Sequence, residues 1–309
     1  VQQHHRRAGA DLVEVDAAAG NSDALAMHDP EATSEPSSPV TMWDAAAGGW
    51  ERRRDRMWES SHAVGEGLVE MAAPAPGESV LDIAAGPGDT GFLAAELIGE
   101  RGRLVATDLS TQMLAAAERR AAELGLRNVE FRQVDAQAMD FESASFDVAL
   151  CRWGLMLMPD PAAALAETRR VLRPGGRLAL AVWGPREANP WNTTIQGAFG
   201  NRGLLPPPPD PNEPGMFRLA DSGELTALVE AAGFADVQLR DLPVHWRFRE
   251  IDDYWGVITE ISPSLGGVLA TLDDAQIGEV KRDFAERCEP YRGGNGYDLP
   301  GLSIGLLAR

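Results

Sequence analysis

From residue 79 onward the hydrophobic positions fall into two alternating kinds of stretch. Short apolar runs, bounded by glycine, proline or acidic residues, read as buried strands near Ser79 to Ile83, Leu104 to Thr107, Val129 to Gln133 and Phe146 to Cys151. Another such run, "RLALAVW", follows the turn "RPGG" at 173 to 176. Between them, apolar residues recur three and four apart and predict helices over Thr90 to Ile98, Thr111 to Leu124 and Pro161 to Leu172. Strand and helix in strict alternation call for a doubly wound, mostly parallel α/β sheet with helices on both faces.

Both flanks depart from this rhythm. Upstream, Met57, Val64, Leu68 and Met71 recur toward one side of Glu51 to Met71, which predicts a helix ahead of the first strand. Downstream of Gly184 the pattern loosens. Residues 204 to 215, "LLPPPPDPNEPG", hold six prolines and read as a stiff extended loop. A helix at Asp221 to Ala232 ends at Gly233, followed by a strand "DVQLRDL" and then "HWRFRE". Residues 251 to 290 read as mostly helical, and "LPGLSIGLLAR" as a last strand.

Residues 1 to 40 carry seven acids against Arg6 and Arg7, no aromatic residue and a Ser/Pro-rich end. Such a segment buries too little to offset its ordering entropy, so a disordered tail is expected. His4 and His5 belong to it and have no third ligand nearby, so no metal site is assigned. The chain opens on Val1, with Met27 and Met42 following, and a downstream start of translation is compatible with that. The organisation expected is a tail over 1–40 and one domain over 43–309. Its cap comes from 43–75 and from an insertion at 250–294.

The formal charge of −19 argues against a protein that grips nucleic acid, whose binding draws on Lys and Arg neutralising phosphates. A basic run at Arg52, Arg53, Arg54 and Arg56 is interleaved with acids and reads as a solvated helix face. The sequence holds no apolar stretch long enough for a membrane span and no secretory pattern at its start. Cysteine usage, limited to Cys151 and Cys288, fits reduced thiols better than a disulfide framework. Cytoplasmic residence and a small-molecule partner are therefore expected, and a homodimer is compatible with them.

Chemistry concentrates at residues 81 to 91, "LDIAAGPGDTG". A glycine-rich turn between a strand and its helix brings backbone close to a ligand and aims the helix dipole at negative charge. Pyrophosphate and carboxylate are served alike. Asp82, however, lies in the strand before the glycines, where a dinucleotide fold is usually apolar. Repulsion of a pyrophosphate makes little sense there, whereas attraction of a cation does. S-adenosylmethionine meets both demands, with a sulfonium and an α-ammonium for the acid and a carboxylate for the helix.

With "VLDIAAGPGDTG", "VATDLS", "VDAQAMDF", "FDVALCRWGLMLMPDP" and "RVLRPGGRLALAVWG" in that order, the chain resembles the class I S-adenosylmethionine-dependent methyltransferases. Within them it is most similar to the ubiquinone/menaquinone-biosynthesis-like small-molecule branch, over about Trp43 to Gly184. The resemblance implies a Rossmann-like sheet whose last strand is antiparallel. It implies that Asp82 and the loop around Ala84, Gly86, Pro87 and Gly88 hold the methionine end of the cofactor. Asp108 would accept from both ribose hydroxyls, Leu109 and Met113 would pack on the adenine, and Asp135 with the Ala136 N–H would read its edge. Cys151 and Arg152 would line the floor beside the transferred methyl group. For Asp108 a helix N-cap before Ser110 stays open, and for Asp135 a plain loop acid. Asp89 and Thr90 read as helix-start residues.

Methyl transfer from a sulfonium is an in-line displacement that asks the protein mainly for alignment and exclusion of water. If the acceptor must lose a proton, the candidate bases are His62, His245 and Tyr254, with His245 the catalytic candidate. Trp43, Trp153, Trp183 and Trp255, together with Trp50 and Trp191, could form an aromatic ceiling over an apolar or planar acceptor. The "CRWG" after the fourth strand lacks the Pro-Pro-aromatic pattern of enzymes that methylate the amino groups of DNA bases. Transfer to oxygen or carbon is the expectation. Two rivals remain at this point: a nicotinamide- or flavin-dependent oxidoreductase using the glycine loop, and a non-catalytic protein that binds S-adenosylmethionine.

Overall fold

The computed structural model describes residues 38–206, 210 and 213–309. The acidic segment through residue 37, with His4 and His5, and part of the proline-rich run lie outside the described residues. Helix α1 (Pro39–Arg52) starts from Ser38, whose hydroxyl accepts the Thr41 N–H at 3.3 Å. Pro39 occupies the first turn, where a missing N–H costs nothing. The helix therefore begins ahead of Trp43, and it takes in Pro39 and Val40 from the segment expected to be tail. A break at Arg53 separates it from α2 (Arg54–Ala72), so the single helix expected over Glu51 to Met71 is two.

The alternating stretch follows as β1 (Ser79–Ile83), α3 (Asp89–Ile98), β2 (Arg103–Asp108), α4 (Thr111–Leu124), β3 (Val129–Gln133), β4 (Phe146–Arg152), α5 (Pro161–Val171) and β5 (Leu172–Trp183). "RPGG" is a bulge within β5 rather than a turn before it. The register with β4 jumps there from Phe146 opposite Leu172 to Val148 opposite Arg177. Beyond β5 come α6 (Pro190–Gly200), α7 (Ser222–Ala231), β6 (Gln238–Phe248), α8 (Ile251–Ile261), α9 (Pro263–Leu269), α10 (Asp274–Cys288), β7 (Arg292–Gly293) and β8 (Gly296–Ala308).

The sheet runs β3-β2-β1-β4-β5-β8-β6, with β7 beside β8. Its first five strands are parallel; β8 is antiparallel to both β5 and β6. Strand β6 continues through Pro243, joining two segments that read separately in sequence. An edge strand tolerates a residue without an N–H. In the centre, Val80, Leu81, Val148, Ala149 and Leu150 are all buried, as expected when both faces are covered. The chain leaves β1 toward β2 and β3 on one side and returns to β4 and β5 on the other. This reversal opens a crevice at the carboxyl ends of β1 and β4.

Helix α1 covers that crevice by packing on α4, α8 and α9. The Trp50 indole N–H donates to the Ile261 carbonyl at 3.1 Å, and Ser110 donates its hydroxyl to Asp44 at 2.6 Å. Gly49 allows α1 and α8 to touch: a Cβ there would stand 2.1 Å from the Glu260 carbonyl oxygen. The basic run is correspondingly not a plain solvated face. Arg52 and Arg53 both clasp Glu260, Arg54 reaches Glu123 at 3.4 Å, and Arg56 pairs with Glu59. No helix among the described residues is long and apolar enough to cross a membrane.

Candidate active site

Asp82 lies on β1 with 1% of its surface exposed, between the buried Leu81 and Ile83. Burial pushes its carboxyl up to about 7, opposed by the nearby Arg152 guanidinium and by the Gly91 N–H. The last glycine of the loop has a steric duty here, since a Cβ on Gly91 would lie 2.5 Å from Asp82 Oδ2. Arg152, at the end of β4, is mostly buried, its side chain 9% exposed, and desolvation lowers its pKa against the pull of Asp89 and Asp82. Its closest ionic partner is Asp89, at 4.0 Å. Three buried polar atoms at this spot have no hydrogen-bond partner: Asp82 Oδ2, Thr90 Oγ1 and one terminal nitrogen of Arg152. Each such atom costs about 1–3 kcal/mol, so together they call for a ligand with a donor or cation for the acid and an acceptor or anion for the arginine.

Farther along the carboxyl edge, Asp108 ends β2. Its two oxygens accept the Gly86 and Ser110 N–H groups, each at 2.9 Å, while burial still holds its pKa above the usual value. It does not cap α4: Ser110 does, accepting the Met113 N–H at 3.1 Å. That removes the N-cap alternative, and Asp108 itself borders the crevice. Asp135 spends Oδ1 on the backbone and side-chain amides of Gln137, at 2.9 and 3.0 Å, and still borders the cleft. Two members of the site adopt costly left-handed backbone, Ala84 (φ 53°) and Trp153 (φ 61°), as strained residues at ligand sites often do.

The cleft measures about 1020 Å³. That is at or above the upper end for a single ligand, which leaves room for a cofactor and a second molecule. Along its wall stand Asp82, Ala84, Gly86, Pro87, Asp108, Leu109 and Met113. Asp135, Ala136 and Arg152 of the expected cofactor residues line it too, as do Trp153, Trp183 and Trp43, the last packed with Met113 and apart from the other two. Trp153 stacks on Trp183 at 4.2 Å, Trp183 meets Trp191 at 4.8 Å, and Trp191 stacks on Trp246 at 5.0 Å. This column begins beside β4 and runs across β5 toward β6, away from Asp108.

Several expected members stand elsewhere. Gly88 turns its N–H to the Ala85 carbonyl and closes the loop instead of lining the cleft. Cys151 is buried behind Gly154, its thiol pushed up to about 12 by burial. Trp255 packs outside, stacked on Phe199 at 5.9 Å. His245 is displaced by strand alternation: Val244 and Trp246 of β6 point inward, so its ring points to the opposite, exposed face and pairs with Asp298 at 2.9 Å. His62 is exposed on α2 and bonded to its own helix backbone. Tyr254 is buried and donates to the Trp191 carbonyl at 2.6 Å. None of the three candidate bases reaches the cleft.

Sequence reasoning in turn missed Trp246 and the α6 residues Asn192 and Gln196, and it read Thr90 as only a helix start; all four border the cleft. The sole local signal was the four-residue spacing of Asn192 and Gln196, which places them on one helix face.

A family model described as a methyltransferase domain matches residues 74–201, the span that holds every cofactor-side residue above. Over this span the chain carries a methyltransferase domain and resembles the class I S-adenosylmethionine-dependent methyltransferases. It is 36% identical over 132 residues to the ubiquinone/menaquinone biosynthesis C-methyltransferase UbiE of Teredinibacter turnerae, covering 42% of this chain and 51% of that one. It is 37% identical over 117 residues to the aklanonic acid methyltransferase DauC of Streptomyces sp. strain C5, covering 38% and 53%. The chain thus spans about half the length of these curated relatives. In fold it is similar to the YcgJ protein of Bacillus subtilis, with a TM-score of 0.51 at 22% identity over 80% of this chain and 97% of that one. The cofactor of this methyltransferase family, S-adenosylmethionine, suits the donor set: an ammonium or sulfonium answers Asp82, a carboxylate answers Arg152, and ribose hydroxyls answer Asp108.

Proposed function

We propose that this protein moves a methyl group from S-adenosylmethionine to an oxygen or carbon atom of a small, apolar or aromatic acceptor. The observation that carries the proposal is one cleft with two chemically distinct ends. One end holds unpartnered buried charges of both signs, and the other a column of tryptophans. When bound, the cofactor supplies an activated methyl group and its own leaving group. Asp82 and Arg152 hold the amino-acid end, Asp108 the ribose, Leu109 and Met113 the adenine faces, and Asp135 and Ala136 the adenine edge. Trp153 and Trp183 exclude water and orient a flat acceptor.

No histidine, lysine, cysteine or tyrosine lines the cleft among the described residues. Carboxylates do line it, Asp210 and Glu213 beyond the cofactor set, so alignment and desolvation are proposed as the main catalytic means, with His245 given no part. Transfer to carbon or oxygen is favoured by the names of the similar proteins, a C-methyltransferase and a methyltransferase of aklanonic acid. The oxidoreductase alternative is disfavoured because a pyrophosphate would meet the buried acid at Asp82. A non-catalytic role is disfavoured by the open acceptor end. Cytoplasmic residence is proposed on the two free thiols, the state a reducing compartment maintains. One domain from the start of α1 to residue 309 is proposed as the functional unit.

Isothermal titration of the protein with S-adenosylmethionine, S-adenosylhomocysteine and NADH tests this reading. The expected result is roughly micromolar binding of both adenosyl ligands, about −8 kcal/mol, and none of NADH. Methyl transfer from labelled cofactor to members of an aromatic acceptor panel would complete the case. Binding of NADH alone would overturn it.

A further inference from the structure

Helix α6 carries a polar feature that neither the cofactor nor the fold uses. Asn192 is 5% exposed, borders the cleft, and makes no side-chain hydrogen bond among the described residues. Gln196, one turn later on the same face, is half-buried, borders the cleft and is likewise without a partner. The neighbouring Asn189 shows what a structural amide looks like here. Its nitrogen donates to the Gly184 and Pro185 carbonyls, and its oxygen accepts the Trp191 and Leu302 N–H groups. Thr194, too, is satisfied, donating to the Pro190 carbonyl at 2.8 Å. Against these, the Asn192 and Gln196 amides are open to the cleft, where a molecule that covers them must replace the hydrogen bonds to water they would lose.

Position narrows the ligand. Asp108 ends β2, Asp82 lies on β1, Arg152 ends β4 and Trp183 ends β5, so the wall can be ordered along the sheet. With neighbouring strands about 4.8 Å apart, the β5 end lies some three strand spacings, roughly 14 Å, from Asp108. The α6 amides follow β5 in the chain and flank Trp191 in the tryptophan column, at the acceptor end. A carboxamide presents one donor group and one acceptor group, and it matches hydroxyl and carbonyl oxygens without favouring an anion or a cation.

Resting on the proposed methyltransferase reading, we infer that Asn192 and Gln196 are the specificity-determining contacts for the acceptor, each reading an oxygen substituent on its edge. The tryptophans hold its faces, and the two amides hydrogen-bond the oxygens along its edge. This pair selects among flat apolar molecules that the tryptophans alone would accept equally. Discrimination of this kind is strong because a molecule lacking the oxygens leaves buried amides unpaired.

The test uses the full chain saturated with S-adenosylhomocysteine and two probes of one shape, 2,3-dihydroxynaphthalene and naphthalene, titrated by calorimetry. Wild type is expected to bind the dihydroxy probe at least about tenfold more tightly. In Asn192→Leu and in Gln196→Leu the preference should drop by about five- to tenfold each, with naphthalene binding unchanged. The affinity for S-adenosylhomocysteine reports in both variants that the fold and cofactor end are intact, and Gln196→Leu covers the case in which the more buried Asn192 does not tolerate leucine. Equal binding of the two probes by wild type, a preference that survives both variants, or no binding of either probe would overturn the inference. If S-adenosylhomocysteine itself fails to bind wild type, the methyltransferase reading falls first.

Discussion

On the proposed reading, Asp82 couples cofactor binding to a proton. In the ligand-free protein its carboxyl titrates at about 7, because burial outweighs the attraction of Arg152. A cationic group placed against Oδ2 favours the carboxylate and returns its pKa toward the ordinary 3.8. Binding at pH 6 should then release about 0.9 proton, and affinity should weaken about 25-fold between pH 7.5 and 5.5. Calorimetry in two buffers of different ionisation enthalpy counts the proton directly. Asp82→Asn should abolish both the release and the pH dependence. Stability responds with the opposite sense. A folded pKa raised above the unfolded one means that the contribution is fully present below pH 4 and is lost as pH rises through about 7. The ionised group then costs the ligand-free protein on the order of 4 kcal/mol. Asp82→Asn should therefore unfold at a higher temperature than wild type at pH 8, by less than this bound since Arg152 loses a partner. A wild-type protein that binds S-adenosylmethionine at pH 6 without releasing a proton, and with flat affinity across the window, would refute the reasoning.

The other expectations are simpler. Asp108→Ala should lower affinity for S-adenosylhomocysteine by about a hundredfold, measured by calorimetry, because the ribose bonds are lost and the Gly86 and Ser110 N–H groups are left without their acceptor. Its far-ultraviolet circular dichroism should match wild type. Gly49→Val should lower stability by about 1–3 kcal/mol in urea unfolding, since its Cβ would stand 2.1 Å from the Glu260 carbonyl and force α1 off α8. An unchanged unfolding midpoint would show that the two helices are not held together as described.

The end of the cleft proposed for the cofactor was legible in the sequence because it is built from neighbours along the chain. A strand, a glycine loop and a helix start place Asp82 and Gly86 within a single turn, and Asp108 follows at the end of the next strand. Period and spacing are local properties of backbone, and they carry such features directly. Even there the details of use were not legible. That Ser110, not Asp108, caps α4, and that Gly88 closes the loop, depends on backbone dihedrals that several residue patterns satisfy.

The acceptor half depended on contacts between distant segments. The Trp50 bond to Ile261 spans 211 residues, and the tryptophan column draws on β4, β5, α6 and β6. His245 and Trp246 are adjacent in the chain and on opposite faces of the sheet, a distinction that needs the register of β6 on β8. By itself, then, the sequence determined the alternating α/β order, the glycine loop and the acids that border the cleft. Only the tertiary structure decided which aromatic rings meet, which candidate bases are excluded and which amides face the cleft. The reason is physical: local periodicity assigns each residue a side of its own element, but burial and pairing are settled by what that side meets when distant elements pack.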